Sequence, residues 1–400
     1  MSAAQSAMLR PLEPATPGPA PKRKIRALHL IYSPGYGGIE TIVLNWAKNF
    51  DPNTVEVYLA YFANDRNREL PFLEAAKAYG ITPLPVRWGR FKPFLKAARD
   101  VVKIVRQHGI DVVHTHAYYG DAVGALAGKM GNFKTVATIY VWTKHYEFHR
   151  QIMQFMDWIA CQFIDEVTGT CKDTALRTHV FGKRPETIPV LLPGYPDNYQ
   201  RISEADRKKM REAAGIREGE ILLVNVARLA PEKAQDQLIR SFRIIHKKYP
   251  QTKLWISGVG LRSIEQELLR LRAEYGLQSS VRLLGFTEDV WSLLGMADMM
   301  VHPSHAEGMP AAVLEAMAAS LPIVASAVNG LPEMIQHNVC GKLIAENDVQ
   351  GFADAVVELI EDPVQAACLG QMARHRIETD LSIREAVAEV ERLYRRILGC

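Results

Sequence analysis

Two doubly wound α/β halves facing each other across a cleft are the fold this sequence predicts. Apolar runs of strand length alternate with helix-length amphipathic stretches, the pattern of parallel sheets covered by helices. The alternation breaks at Thr187 to Pro196 and then begins again, so a second sheet follows the first. The chain has 400 residues, room for two or three domains at roughly 150 residues each.

In the first half, Ile25 to Tyr32 reads as a strand, followed by a glycine-rich turn and a helix from Glu40 to Asn49. Val55 to Phe62, Asp111 to His114, Thr135 to Tyr140 and Glu166 to Cys171 read as further strands, each separated from the next by helix-length sequence. Thr187 to Pro196 carries Pro189, Pro193, Gly194 and Pro196, and is expected to leave the sheet and act as a hinge. In the second half the strands are Ile221 to Ala227, Lys253 to Ser257, Val281 to Gly285, Met299 to His302 and Leu321 to Ala325. Ala234 to Lys248 and Ile264 to Tyr275 have helical periodicity. Doubly wound sheets bind ligands at the carboxyl edges of their strands, so this organisation favours a cleft enzyme over a structural protein.

Composition narrows the classes. Apolar residues make up 48% and charged residues 23%, the norm for a globular chain. A net charge of +4 is too small to announce a nucleic-acid binder. Cys161, Cys171, Cys340, Cys368 and Cys400 form no Cys-x-x-Cys pair, which fits a reducing, cytoplasmic setting without disulfides or zinc. Met309 to Val328 has the length of a membrane span but contains Glu315, Pro310 and Pro322. A carboxylate near a helix centre costs roughly 2.5–3.5 kcal/mol on insertion, so the run reads as a buried helix and strand. The N-terminus lacks an apolar stretch of signal-peptide length. Residues 1–24 read as a disordered tail, rich in Pro and Ala and closed by the basic cluster Pro21 to Lys24.

Two segments carry chemistry. The strand ending at Ala227 runs into Arg228-Leu229-Ala230-Pro231-Glu232-Lys233 and at once into a helix. Cations at a helix N-terminus are disfavoured by about 0.3–1 kcal/mol each, and a bound anion reverses that sign. The alternative is a solvated Arg and Lys with Glu232 as partner. The second segment follows His302: Glu307 and Gly308 lie in a loop, Pro310 suits the first turn of a helix, and Glu315 sits among Ala, Leu and Met. A carboxylate on so apolar a helix needs a partner. Backbone N–H groups at Gly308 and Met309 suit phosphate oxygens, and the two carboxylates suit sugar hydroxyls. The alternative is an exposed Glu307 and a Glu315 paired in the core.

Arg228-x4-Lys233 followed by Glu307-x7-Glu315 resembles the retaining nucleotide-sugar glycosyltransferases of family 4, which have the two-domain GT-B fold. Gly37-Gly38-Ile39-Glu40, Asp111 to His116, Gly258-Val259-Gly260, Leu284-Gly285-Phe286 and Gly330-Leu331-Pro332-Glu333 extend the likeness from about Ile25 to the C-terminus. The resemblance implies an acceptor domain over 25–195, completed by a returning C-terminal helix at about 382–398, and a donor domain over 196–381. It implies that Arg228 and Lys233 hold the donor diphosphate in place of a metal, consistent with the lack of an Asp-x-Asp. It assigns Glu315 to the ribose and Glu307 to the transferred sugar. Gly38, Gly258, Gly285, Phe286, Gly308 and Met309 line the donor, and His116 borders the reaction centre. No cofactor is implied beyond the nucleoside-diphosphate sugar. The partners implied are a glycan or lipid-linked acceptor of cell-envelope or exopolysaccharide synthesis and a peripheral membrane contact, with no nucleic acid.

The chain also departs from the family pattern. Glu307-Gly308-Met309-Pro310 stands where Glu-Gly-Phe-Gly is common, Leu192-Pro193-Gly194 where Pro-Asn-Gly is, and Thr138-Ile139-Tyr140 replaces a Thr-x-His. His114 reads as a core histidine, and His116 as the one nearer the cleft. Arg87 to Lys96 mixes cations and aromatics, which fits an anionic membrane surface and equally the start of an ordinary helix. Trp142 to Trp158 suits an acceptor site in the same way. Other readings are a GT-B nucleotide-sugar epimerase, a non-catalytic sugar-binding relative, and a dehydrogenase resting on Gly35-x-Gly37-Gly38, which lacks the Gly-x-Gly-x-x-Gly spacing.

Overall fold

The computed structural model describes residues 23–32, 37–63, 71–89, 93–141, 148–196 and 202–400. In the first half the elements run β1 (Ile25–Ile31), α1 (Gly38–Asn49), β2 (Val55–Ala63), α2 (Pro71–Ala78), β3 (Leu84–Arg87), α3 (Phe94–His108), β4 (Val112–His116), α4 (Tyr118–Gly131), β5 (Lys134–Ile139), α5 (Phe148–Cys161), β6 (Glu166–Gly169) and α6 (Lys172–Arg177). The second half opens with α7 (Glu204–Ala213), β7 (Ile221–Val226), α8 (Gln235–Lys248), β8 (Thr252–Ser257), α9 (Arg262–Glu274), β9 (Val281–Gly285), α10 (Val290–Met296) and β10 (Met299–His302). It closes with α11 (Ala311–Ala318), β11 (Ile323–Ser326), α12 (Leu331–Met334), β12 (Lys342–Ile344), α13 (Val349–Glu361), α14 (Pro363–Glu378) and α15 (Ile383–Leu398).

Both sheets are parallel and doubly wound, with orders β3-β2-β1-β4-β5-β6 and β12-β11-β10-β7-β8-β9. Strand order reverses between β1 and β4 in one sheet and between β7 and β10 in the other. At such a switch point the two following connections diverge to opposite faces and leave a crevice. The loops after β1, β7 and β10 carry Gly37-Gly38, Arg228 to Lys233, and Pro303 to Pro310. The topology therefore delivers three of the sequence motifs to crevices before any side chain is considered.

The strands are apolar because helices cover both faces: Leu28, Leu30, Val113, Leu222, Val224, Met300 and Val301 are all fully buried. The sequence reading missed β3 and β12. Both are short edge strands, and β3 contains Pro85, which only an edge tolerates. β4 begins one residue later than expected and runs on to His116. The hinge does not leave the sheet at once. Val190 bridges Gly169 beside β6, and Tyr195 then bridges Ser382, so the outgoing and returning crossings between the halves are tied together. The returning helix α15 buries Ile383, Val387, Val390, Leu393 and Tyr394 against Ile25, Trp46, Val112 and Val136 of the first half.

The tail expected over 1–24 lies outside the described residues except at its end. There, Arg23 pairs with Asp111 and Lys24 with Glu56, so these two basic residues are anchored to the sheet rather than free in a linker. No described helix is long and apolar enough to cross a membrane.

Candidate active site

The Lys233 ammonium lies 2.7 Å from both carboxylate oxygens of Glu307. His302 Nε2 and Ser304 Oγ donate to the same carboxylate at 2.7 and 2.8 Å. Burial alone would raise the Glu307 carboxyl, yet Lys233 and His302 hold it well below the usual carboxylate range. One sequence expectation is corrected, because Lys233 is not a cation awaiting an anion but is already matched by Glu307. The alternative of an exposed Glu307 also falls, since Glu307 is buried. His302 and Ser304 were not singled out, although their place five and three residues before Glu307 at a strand exit was a readable signal.

Arg228 differs. Its side chain is 65% exposed and reaches the buried Glu232 at 3.4 Å, so the alternative pairing with Glu232 is present but solvated only on the Arg228 side. Between the two cations the chain makes a 3₁₀ turn at Pro231–Lys233 and then passes Ala234 at φ +47°. A buried alanine in the left-handed region stores about 1–2 kcal/mol of strain. That turn separates Lys233 from the true start of α8 at Gln235, whose side chain bonds the Arg228 carbonyl at 2.8 Å. The cations therefore flank the approach to α8 and do not sit on its first turn.

The loop after β10 joins the two halves of the molecule. A Cβ on Gly308 would lie 2.2 Å from the carbonyl oxygen of Tyr140, and one on Gly330 would lie 2.1 Å from the carbonyl oxygen of Gly308. Only glycine permits that stack of backbones. The Glu333 carboxylate accepts from the backbone N–H groups of Lys172 and Asp173 at 2.8 and 3.0 Å, capping α6 from the opposite domain. Met309 is buried in the second domain's core beside Val313 and Met317, which explains an apolar residue there. Pro310 occupies the N-cap of α11 rather than its first turn. A Cβ on Gly38 would lie 3.7 Å from the Ala311 Cβ, so the N-termini of α1 and α11 face each other across the cleft. Two positive helix ends converging on one space suit an anion.

Glu315, on α11, accepts a hydrogen bond from the Tyr195 hydroxyl at 3.2 Å. Burial raises its carboxyl to about 7. The partner its apolar helix demanded is thus a neutral phenol from the hinge, which no local pattern announced. Gly258 passes so close to the β7 exit that a Cβ would lie 1.9 Å from the Ala227 carbonyl oxygen. Its N–H donates to the Gly285 carbonyl at 2.7 Å, and the adjoining Phe286 is exposed at the same sheet edge.

His116 does not reach the cleft surface. It is fully buried with His29 and His114, and all six ring nitrogens of the three have partners. The donors run in one direction. Thr168 donates to the Ala137 carbonyl at 3.1 Å and so accepts from Thr138 at 2.9 Å. Thr138 then accepts from His114 Nε2, and His114 Nδ1 from Tyr394, both at 2.7 Å. Tyr394 accepts from His29 Nε2 at 3.3 Å, and His29 Nδ1 from His116 Nε2 at 3.0 Å. His116 Nδ1 finally accepts from the Tyr140 hydroxyl at 2.9 Å. The direction requires neutral imidazoles, and burial supplies them by pushing His29 down to about 3 and the other two well below their usual value. Although the three rings stand close enough to share an ion, their nitrogens are committed to this chain. Tyr394→Phe would strand two buried imidazole groups, and a loss of about 1–3 kcal/mol in denaturation is expected; an unchanged melting curve would refute the network's contribution.

The remaining candidates fall partly outside the described residues: Gly35, residues 90–92 of the Arg87–Lys96 segment, and 142–147 of the Trp142–Trp158 segment.

Comparisons with known proteins agree with this architecture. The family described as "Glycosyltransferase Family 4" matches residues 36–198, and "Glycosyl transferases group 1" matches residues 206–376. The chain is 24% identical over 318 residues to N-acetyl-alpha-D-glucosaminyl L-malate synthase of Bacillus anthracis, covering 77% of this chain and 81% of that one. It is 26% identical over 371 residues to a GDP-mannose-dependent monoacylated alpha-(1-6)-phosphatidylinositol monomannoside mannosyltransferase of Corynebacterium glutamicum, covering 88% and 92%. Among solved structures, Anabaena Alr3699/HepE in complex with UDP and glucose superposes with a TM-score of 0.80 at 22% identity, covering 92% and 99%. Fold and family define a glycosyltransferase. The chain belongs to the family 4 glycosyltransferases and has their GT-B fold. The epimerase alternative is not favoured.

Proposed function

We propose that this glycosyltransferase moves a sugar, with retention of configuration and without a metal, from a nucleoside-diphosphate sugar to a glycan or lipid-linked acceptor in envelope or exopolysaccharide synthesis. The observation that carries the reading is the convergence of the α1 and α11 N-termini, the latter a few residues past Glu307 and its partner Lys233. A diphosphate leaving group gains negative charge in the transition state, and preorganised donors aimed there are the largest catalytic lever. In this reading Arg228 swings from Glu232 to the phosphates, while Lys233 shares its protons between Glu307 and the leaving group. Glu307 receives hydroxyls of the transferred sugar, and Glu315 those of the ribose. Gly38, Gly308 and Met309 give backbone contacts near the phosphates, and Gly258, Gly285 and Phe286 border the nucleotide. His116 acts through Tyr140, whose committed proton leaves its oxygen to accept from a sugar hydroxyl. Same-face attack, with the leaving phosphate taking the acceptor proton, needs no carboxylate nucleophile.

The Corynebacterium relative's lipid acceptor supports a lipid-linked substrate and a cytoplasmic enzyme working at a membrane face. The relatives' differing donors, a GDP-mannose there and UDP in the Anabaena complex, leave the base open. The test is turnover of a panel of UDP-, GDP- and ADP-sugars with and without EDTA. Release of nucleoside diphosphate and formation of a product with the donor's anomeric configuration, undiminished by chelator, are expected. Loss of turnover in EDTA restored by magnesium would overturn metal independence, and an inverted product would overturn retention.

A further inference from the structure

We propose that Tyr195 is a positioning residue for the donor: anchored where the chain crosses between the two domains, it aims the Glu315 carboxylate at the ribose and donates to its charged form. This rests on the reading of Glu315 as the ribose acceptor and adds to it a residue from outside the helix that carries Glu315. The backbone of Tyr195 is held on both sides. Its N–H donates to the Leu381 carbonyl at 2.8 Å, and its carbonyl accepts from the Ile383 N–H at 3.1 Å. Just before it, Gly194 stands at φ +61°, and a Cβ there would lie 2.5 Å from the Ala386 Cβ and 2.9 Å from the Ser382 carbonyl oxygen. The Trp46 indole donates to the Pro193 carbonyl at 2.6 Å. The outgoing and returning crossings are therefore one fixed unit, docked on the first domain.

From that anchor the Tyr195 side chain enters the core of the second domain. It is 5% exposed, and its ring stands 5.8 Å from that of Trp291. Phenylalanine would fill that space equally well. A buried phenol needs a partner for its hydroxyl, and the partner here is Glu315 Oε1 at 3.2 Å. Glu315 itself is half-buried, so part of its carboxylate stays within reach of a ligand. Because Tyr195 bonds Oε1, Oε2 is left for the ribose hydroxyls. The direction of the carboxylate is set by the crossing and not by α11 alone.

The hydroxyl also bears on charge. Burial disfavours an ionised carboxylate, and a donated hydrogen bond favours it. Both act on Glu315, burial the more strongly. The elements packed against α11 are α1, α10, α14, β10 and β11. Neither α10 nor β11 carries an ionisable side chain. Glu40 of α1 accepts from the Gly37 N–H, and His302 of β10 is bonded to Glu307. Arg374 and Arg376 of α14 donate to the Ala318 and Glu333 carbonyls. Among the described residues, Tyr195 is thus the group that offsets burial at Glu315. Without its hydroxyl the carboxyl would hold its proton to a higher pH, and the ribose would meet a neutral acid.

The test is calorimetric titration of the full chain with UDP, GDP and ADP between pH 6 and pH 9, for wild type, Tyr195→Phe, Glu315→Gln and the double variant. Phenylalanine keeps the ring against Trp291, so the variant stays folded, which melting checks. Wild-type affinity should rise with pH through about 7. In Tyr195→Phe the midpoint should move up by about one unit, a tenfold change in proton affinity. Binding is then ~5-fold weaker at pH 7, and the gap narrows toward pH 9. In the Glu315→Gln background, Tyr195→Phe should change affinity by less than about twofold at any pH, since there is no charge to steady. Uniform weakening at an unchanged midpoint, or no change at all, would overturn the role of Tyr195. The ribose reading would survive that result as long as Glu315→Gln weakened binding. Full affinity in Glu315→Gln, or no binding of any of the three nucleotides, would instead remove the ribose reading and this inference with it.

Discussion

Arg228→Ala is expected to lower transfer by about 10²–10³-fold at unchanged stability, and Lys233→Ala to lose both transfer and stability. The asymmetry follows from what each cation does in the resting protein. Arg228 is mostly in solvent and meets Glu232, itself buried but with other interactions of its own, only at 3.4 Å; a long pair open to water on one side contributes about 0–1 kcal/mol. The Lys233 side chain is 15% exposed and that of Glu307 4%, at 2.7 Å. Breaking a buried pair by removing one partner costs about 3–5 kcal/mol, because the other charge stays buried and unmatched. The loss has a pH signature. The native carboxyl of Glu307 is held below its ordinary 4.5, so the pair's contribution is complete above that value and fades as pH falls toward the native one. Wild type and Lys233→Ala should therefore differ most near neutrality and converge in acid. Chemical denaturation at several pH values, with turnover alongside, checks all of this. A Lys233→Ala protein as stable as wild type would show that Glu307 does not need its partner.

The strand and helix pattern was legible because its cause is local: a buried parallel strand must be apolar on both faces, and a covering helix on one. β3 and β12 escaped because they are edge strands of only 4 and 3 residues, too short for periodicity to register. Within the site, Arg228, Lys233, Glu307 and Glu315 stood out as charged residues at strand exits or on an apolar helix. What they touch did not, since Glu307 meets Lys233 from 74 residues away and Glu315 meets Tyr195 from 120. The His116 environment was least readable. Its network closes through Tyr394, on a helix that returns from the far end of the chain. Glu333 belonged to a recognised motif, but its capping of α6 depends on how the two halves meet.

Glu315→Gln is expected to stabilise the empty protein above neutrality and at the same time to weaken its hold on nucleoside diphosphates. Burial raises the native Glu315 carboxyl to about 7 from an ordinary 4.5. The native state then binds this proton more tightly than the unfolded state, so wild-type stability falls as pH climbs from 4.5 to 7 and stays lowered above. A glutamine has no proton to lose. Each tenfold change in proton affinity is worth ~1.4 kcal/mol, so the variant should match wild type in acid and exceed it at about pH 8 by up to about 3 kcal/mol. Binding should move the opposite way. An ionised carboxylate can accept both ribose hydroxyls, and a charge-assisted hydrogen bond contributes ~1.5–3 kcal/mol, or roughly 10- to 150-fold in affinity. The glutamine amide keeps the volume and one acceptor oxygen but no charge. Wild-type affinity should weaken as pH drops below about 7, while that of the variant stays flat. Glu307→Gln supplies the contrast: in the proposed reading it touches only the transferred sugar, so it should leave the bare diphosphate's affinity almost unchanged and lower turnover. Calorimetric titration with nucleoside diphosphate at pH 6 and pH 8, paired with melts at the same values, reads both effects. A Glu315→Gln protein that is less stable than wild type at pH 8, or that binds the diphosphate equally well, would show that this half-buried carboxylate is held for packing and not for the ribose.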